Sequence, residues 1–342
     1  MEKIEPEITT IIPTFKRPNL LKKAIESALS QSYSNIKVLV IDDVSNDDTY
    51  NIVNEIIKKD KRVSYYCHKK NIGGNRNFNY GLVHVTTPFF SFLSNDDILQ
   101  PEFYETAIKY LVKYPEIGFC ATEVKSIDSS GAIISYSNSG LNEGYYTVQD
   151  GILSILKNGH PPCWTGIVFR TQIINCIGEL DEQVGGSMDY DFVQRAAAYF
   201  PFYVSKKEGA IFSIDESSWG HASGYDYVWP SWKKMITNIT DNEDIEKRIR
   251  DEFKTYYKKE FKRKIYYYGR QHILRKEFEK ANECSRILNN YFNSFILSFQ
   301  ISIIGKILKF APTLFFIITP ILKIKNTLYQ IHKKICETIL LS

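Results

Sequence analysis

Within the first 120 residues, short β-branched runs alternate with stretches of helical period, and each run ends on polar or acidic residues. Ile8-Thr9-Thr10-Ile11-Ile12 is closed by Pro13, and Pro18 then suits a first helical turn. Leu20, Leu21, Ala24, Ile25, Ala28 and Leu29 recur on one helix face. Ile36 to Ile41 forms the next run and ends at Asp42-Asp43. Ile52, Val53, Ile56 and Ile57 mark a second helix, and Val63 to Cys67 a third strand. A polar loop over 71–77 leads to the apolar run Phe89 to Leu93, which breaks out at Ser94-Asn95-Asp96-Asp97. This β-α-β-α-β order predicts an α/β fold, a Rossmann-like and mostly parallel sheet flanked by helices. Ligands on such sheets bind beyond the carboxyl ends of the strands. Thr14 to Arg17, Asp42-Asp43 and Ser94 to Asp97 therefore converge on one edge by topology alone.

Two adjacent carboxylates at a strand end constrain the chemistry. Burying an unpaired carboxylate costs several kcal/mol, roughly. Asp96 and Asp97 thus require a cation or solvent, and a hard divalent cation that also holds phosphate oxygens is one such partner. The net charge of +4 is too small to imply nucleic acid, and no basic-aromatic block stands out in the first two thirds. Six scattered cysteines, with no C-x-x-C pair, suggest neither a zinc site nor a redox motif and read as reduced thiols. The acidic start Met1 to Glu7 has no apolar core of the kind a signal peptide carries.

Beyond residue 115 the pattern is less regular. It holds a strand over Thr165 to Arg170, a helix over Asp189 to Tyr199 and a Gly-, Ser- and Trp-rich loop over 215–232. The expected division is a catalytic domain over 1–230, a helical extension over 231–292, and apolar and basic helices over 293–342. In the last of these, Lys306 and Lys309 interrupt the apolar runs. The uncharged stretches fall short of the roughly 18–20 residues that span a bilayer. Ile296, Leu297, Ile303, Ile304, Ile307, Leu308 and Phe310 instead give a wide apolar face, with Lys323, Lys325, Lys333 and Lys334 following. That pattern suits a helix lying in an anionic membrane surface. A helix packed on the preceding domain, or on a second copy in a homodimer, is the other reading.

Five motifs in order carry a resemblance. Ile11-Ile12-Pro13-Thr14-Phe15-Lys16-Arg17, Asp42-Asp43-Val44-Ser45, Asn71-Ile72-Gly73-Gly74 with Arg76-Asn77, Ser94-Asn95-Asp96 and Met188-Asp189-Tyr190-Asp191 resemble the glycosyltransferase family 2 enzymes over about residues 8–200. The resemblance implies a GT-A fold with a helical C-terminal region. It also implies an inverting transfer from a nucleotide-diphosphate sugar, of the UDP class, to a hydroxyl of a glycan or lipid-linked acceptor. By the same resemblance, Asp43, with Asp42 in support, accepts hydrogen bonds from the base, and Phe15 packs on it. Pro13, Arg17, Asn71, Arg76 and Asn95 line the donor nucleotide, Arg76 suiting a diphosphate oxygen. Asp96 holds Mn²⁺ or Mg²⁺, joined by His221, and Asp189 is the base. Trp164, Thr165, Gly166 and Met188 border the sugar and acceptor.

The sequence departs from the family pattern twice: Ser94 stands where an aspartate is usual, and Met188 where a glutamate is usual. The first removes a charge from the metal site and the second bears on acceptor choice. The expected location is the cytoplasmic face of the inner membrane, with peripheral attachment. Two rivals come from other classes. A nucleotidyltransferase would need a Gly-rich loop after the first strand, and Pro13 to Arg17 contains no glycine. A non-catalytic relative that only binds a sugar nucleotide or glycan is suggested by Ser94 and Met188.

Overall fold

The computed structural model describes residues 5–137, 140–158, 160–214 and 228–310, together with Pro320. The chain divides into two compact units, Met1–Ile249 and Arg250–Ser342. In the first unit the elements run β1 (Ile8–Thr14), α1 (Pro18–Leu29), β2 (Ile36–Asp42), α2 (Thr49–Lys59), β3 (Val63–Cys67), α3 (Gly74–Val83), β4 (Phe89–Phe92), β5 (Ile98–Leu99) and α4 (Phe103–Lys113). There follow β6 (Phe119–Ile127), β7 (Ile133–Tyr136), β8 (Gly144–Tyr146), α5 (Val148–Asn158), β9 (Ile167–Arg170), α6 (Ile174–Ile177), α7 (Met188–Tyr199), β10 (Phe202–Ser213) and α8 (Val228–Thr240).

The described strands form one sheet in the order β3-β2-β1-β4-β9-β6-β10-β5, with β7 on β6 and β8 on β10. It is parallel across β3-β2-β1-β4, where helices supply the crossovers. It turns mixed where β9 enters antiparallel between β4 and β6. All seven residues of β1 are buried, as a central strand covered on both faces requires. Ile8, Ile12, Val38, Val40, Leu93 and Val168 belong to one core cluster. Phe90, Phe92, Phe119, Phe169, Phe192 and Phe202 are fully buried as well. Each such side chain contributes roughly 1.5–3 kcal/mol by leaving water.

Register decides what meets at the carboxyl edge. Thr14 lies opposite Asp42, and Ile11 opposite Phe92. Three residues further on, Asn95 therefore falls level with Thr14, and Asn95 Nδ2 donates to Thr14 Oγ1 at 3.0 Å. Helix α3 begins beside this edge and needs a close approach to the sheet. A Cβ at Gly81 would sit 2.3 Å from Ile11 Cγ2 and 2.6 Å from Ile41 Cδ1.

The second unit holds α9 (Lys247–Leu274, starting just before the boundary), α10 (Phe278–Asn290) and α11 (Phe295–Phe310). Phe253, Phe261, Ile273, Leu288, Ile301 and Leu308 form its buried apolar contacts. Ser285 Oγ donates to the Ser298 carbonyl at 2.9 Å and pins α11 on α10.

Gly81→Ala is expected to destabilise the chain by about 1–3 kcal/mol through overpacking. This loss runs against the roughly 1 kcal/mol that alanine gains in helix propensity. Urea denaturation of the two proteins measures it, and an unchanged or raised midpoint contradicts the packing described.

Candidate active site

The loops at the ends of β1 and β2 carry three of the five non-glycine residues with positive φ among the described residues: Lys16 (55°), Val44 (67°) and Asn46 (51°). Asn tolerates this region through its short polar side chain, whereas a β-branched residue there is strained. Val44 holds this turn in a conformation that glycine would adopt without strain. Lys16 N donates to Ser45 Oγ at 2.9 Å and ties the two loops together.

The carboxylates at the end of β2 hold backbone. Asp42 is 3% exposed; Oδ1 accepts from Ser45 N (3.0 Å) and Ser45 Oγ (2.5 Å), and Oδ2 from the Tyr65 hydroxyl (2.6 Å). Burial, and then Asp42 itself, push the Tyr65 hydroxyl well above its usual pKa. Asp43, equally buried, accepts from Ile72 N (2.7 Å) and Gly73 N (2.8 Å), while its carbonyl accepts from Asn71 Nδ2 (3.0 Å). Gly73 has φ of 86°, which gives this loop its reversal into α3. Asp43 thus shapes the 71–73 loop with both oxygens, each of which keeps a second lone pair.

The turn after β4 sorts its two aspartates. Asp97 is fully buried; Oδ2 accepts from Thr165 Oγ1 (2.8 Å) and Oδ1 from Ser213 N (3.0 Å). Desolvation, reinforced by the neighbouring Asp96 charge, holds its carboxyl well above the usual range. Asp96 is half-buried and forms an ion pair with Arg17 Nη1 at 2.5 Å. Among the described residues no group of three or more His, Cys, Asp or Glu is placed to hold a metal ion. One carboxylate still fits a magnesium-type ion, which takes one or two carboxylates together with substrate phosphates and waters. His221 lies outside the described residues.

Asp189 stands in the first turn of α7, half-buried. Loss of solvation pushes its carboxyl from 3.8 up to about 6, against the backbone N–H groups of Tyr190 and of Asp189 itself. Asp191, two residues on, is fully buried and pairs with Arg195 Nε (2.7 Å) and Asn238 Nδ2 (2.8 Å). It fastens α7 to α8. Met188 is buried beside them.

The remaining residues singled out from the sequence divide. Phe15 is 42% exposed at the edge, with Lys16 Nζ 5.0 Å from its ring centre. Pro13 is buried within β1 opposite Ile41. Arg76 is exposed and paired with Glu182 at 2.8 Å, and Asn75 Nδ2 donates to the Gly185 carbonyl at 2.9 Å. The start of α3 is thereby tied to the 182–187 turn that leads into Asp189. Trp164 is packed in the core, 6% exposed with its ring 4.7 Å from both Phe78 and Phe92. Thr165 turns to Asp97, and Gly166 gives its carbonyl to Thr122 Oγ1.

Sequence reasoning passed over Cys163. Both Asp97 and Asp189 lie within electrostatic reach of it, and burial foremost pushes its thiol up to about 12. Only its place beside Trp164-Thr165-Gly166 pointed to it. The Ser213 contact is made by a backbone amide and left no trace in residue identity.

Residues 9–178 match the family model for glycosyl transferase family 2. The chain belongs to that family. It is 39% identical over 95 residues to the GalNAc(5)-diNAcBac-PP-undecaprenol beta-1,3-glucosyltransferase of Campylobacter jejuni, covering 28% of this chain and 31% of that one. It is 34% identical over 140 residues to an uncharacterised glycosyltransferase of Rickettsia felis, covering 41% and 23% respectively. The chain thus spans about a quarter to a third of the length of these relatives. Among solved structures, S. aureus TarS 1–349 in complex with UDP-GlcNAc superposes with a TM-score of 0.65 at 16% identity, over 87% of this chain and 89% of that one. This likeness shows the fold, which is GT-A-like with a helical C-terminal region.

Thr165→Val is expected to cost about 1–3 kcal/mol by leaving a buried oxygen of Asp97 without its donor. Thr165→Ser keeps the hydroxyl and should cost about 1 kcal/mol. Equal losses for the two variants in urea denaturation contradict the role given to this bond.

Proposed function

We propose that this chain is an inverting glycosyltransferase that moves a sugar from a UDP-sugar to a hydroxyl of a glycan or lipid-linked acceptor, with Asp189 as base. The observation that carries this is the place of Asp189 in the first turn of α7, next to the 182–187 turn that Arg76 and Asn75 tie to the start of α3, where burial also pushes its carboxyl up to about 6. A base poised near working pH is mostly deprotonated and still basic enough to take a proton. The acceptor O–H gives its proton to the Asp189 carboxylate. The freed oxygen bonds the anomeric carbon as the bond from that carbon to the diphosphate oxygen breaks, and UDP leaves with the electron pair. One displacement on one face inverts the centre.

Phe15 supplies an exposed ring for the base, and the spare lone pairs of Asp43 an acceptor for its N–H. Arg76, in an exposed and therefore weak ion pair, is free to be drawn to a phosphate oxygen. Asp96 is the residue that would hold a divalent ion, whose chemistry is to offset charge on the departing diphosphate. Arg17, already beside Asp96, brings a fixed positive charge to the same place. The Campylobacter relative is named for an undecaprenol-linked acceptor. By that analogy the acceptor belongs to a cell-envelope glycan, and the work is done at the cytoplasmic face of the membrane with peripheral attachment.

In Asp189→Asn, UDP release driven by acceptor should fall by about 10²–10⁴ while UDP binding by calorimetry is kept. Full turnover in this variant, or release of pyrophosphate by the parent protein, contradicts the proposal. In the parent protein kcat/KM should fall tenfold per pH unit below about 6, as the base is protonated. Because the folded carboxyl lies above its ordinary 3.8, its charge opposes folding: the Asp189 contribution to stability is most favourable below about 4, declines as pH rises from about 4 to about 6, and stays at that lower level above. Asp189→Asn removes that penalty, so its Tm at pH 7.5 should exceed the parent's.

A further inference from the structure

Helix α11 presents two unlike faces. Ser298, Ile301 and Leu308 are buried, with Ser298 bonded to Ser285 of α10. The other face is open: Phe295 is 69% exposed, Ile296 70%, Phe299 52%, and Ile303 and Ile307 each 39%. Their spacing of one, three, four and four residues places them on one side of the helix. Phe295 and Phe299 stack on each other with ring centres 5.9 Å apart. Singly exposed apolar residues are ordinary, but a continuous stripe of five on one helix marks an interaction surface.

Charge identifies the occupant. From residue 284 to residue 336 the sequence has seven basic residues, Arg286, Lys306, Lys309, Lys323, Lys325, Lys333 and Lys334, and no aspartate or glutamate. Lys306, exposed, lies at the edge of the stripe itself. Lys309 meets Glu279 of α10 at 3.2 Å, both side chains being exposed. If the stripe were buried against a second copy of itself, Lys306 would be carried toward an interface whose own helix offers no carboxylate. An anionic headgroup supplies that partner, and a lysine stem reaches it while its methylenes stay among apolar neighbours. Among the described residues no helix is long and apolar enough to cross a membrane. A helix of this kind lies on the bilayer rather than through it.

We infer that the Phe295, Ile296, Phe299, Ile303 and Ile307 stripe of α11 seats the chain on an anionic lipid surface, with Lys306 at the headgroups. This names the attaching face and its lipid class, and it rests on the proposed membrane location only for its purpose.

The test is sedimentation of the full chain with phosphatidylcholine vesicles and with vesicles containing phosphatidylglycerol, for the parent protein, a Phe295→Ser/Phe299→Ser variant and Lys306→Glu. The parent should pellet with the phosphatidylglycerol vesicles and lose most binding in high salt. Each variant should bind at least about tenfold more weakly, given loss of apolar area or of charge. Thermal melting should be unchanged, since these positions are exposed. Equal binding by parent and variants, or no preference for the anionic vesicles, overturns the inference. So does a parent that ignores vesicles yet forms a dimer that the double variant breaks, which would make the stripe an interface between copies. Transfer to a soluble acceptor should be the same in parent and double variant. If no protein transfers at all, the enzymatic reading fails and the vesicle result alone decides the surface.

Discussion

The buried carboxyl of Asp97 is the constraint on which the carboxyl edge of the sheet depends. It receives a hydroxyl from the segment before β9 and an amide from the end of β10, so three stretches distant in sequence are fixed at one point. Such a group is costly to bury and stays only where its hydrogen bonds are met. With Asp97 held inward, the turn leaves its neighbour Asp96 beside Arg17 at the edge. Two adjacent and identical side chains thus take opposite places, one holding the frame and the other paired with Arg17 at the edge.

The same sorting runs along the whole edge. Asp42 and Asp43 knit loops, Asp191 anchors α7 through Arg195, and Asp189 has little solvation and, among the described residues, no ion pair. Environment, rather than residue type, separates the carboxylates that hold the frame from Asp189. The positive φ values at Lys16, Val44 and Asn46 fit this picture, because strained backbone persists where the surrounding structure over-determines it. Here the determinants are the Asp42 and Ser45 bonds.

Much of this was legible in the sequence. The alternation of runs and helical faces gave the parallel half of the sheet, and carboxylates at strand ends gave the edge. Asp189 was placed at the start of a helix, and α7 begins at Met188. The division of labour was not legible, since it depends on partners far away in sequence. Tyr65 on Asp42 and the Ser213 amide on Asp97 follow from register and strand order, not from local pattern. Sequence alone leaves Trp164 between core packing and a border of the sugar pocket, and its contacts with Phe78 and Phe92 come from strand order. The antiparallel entry of β9 likewise escaped a reading of period, because one short apolar run looks alike in either direction.

The most direct measurement is a pH titration of the aspartate side-chain carboxyls by ¹³C NMR on protein labelled at those carbons, assigned with Asp97→Asn and Asp189→Asn. The account expects Asp189 to titrate near 6 and Asp97 well above the ordinary carboxylate range. Asp97 and Asp189 both titrating near 4 would contradict the claim that burial sorts these carboxylates into frame and base.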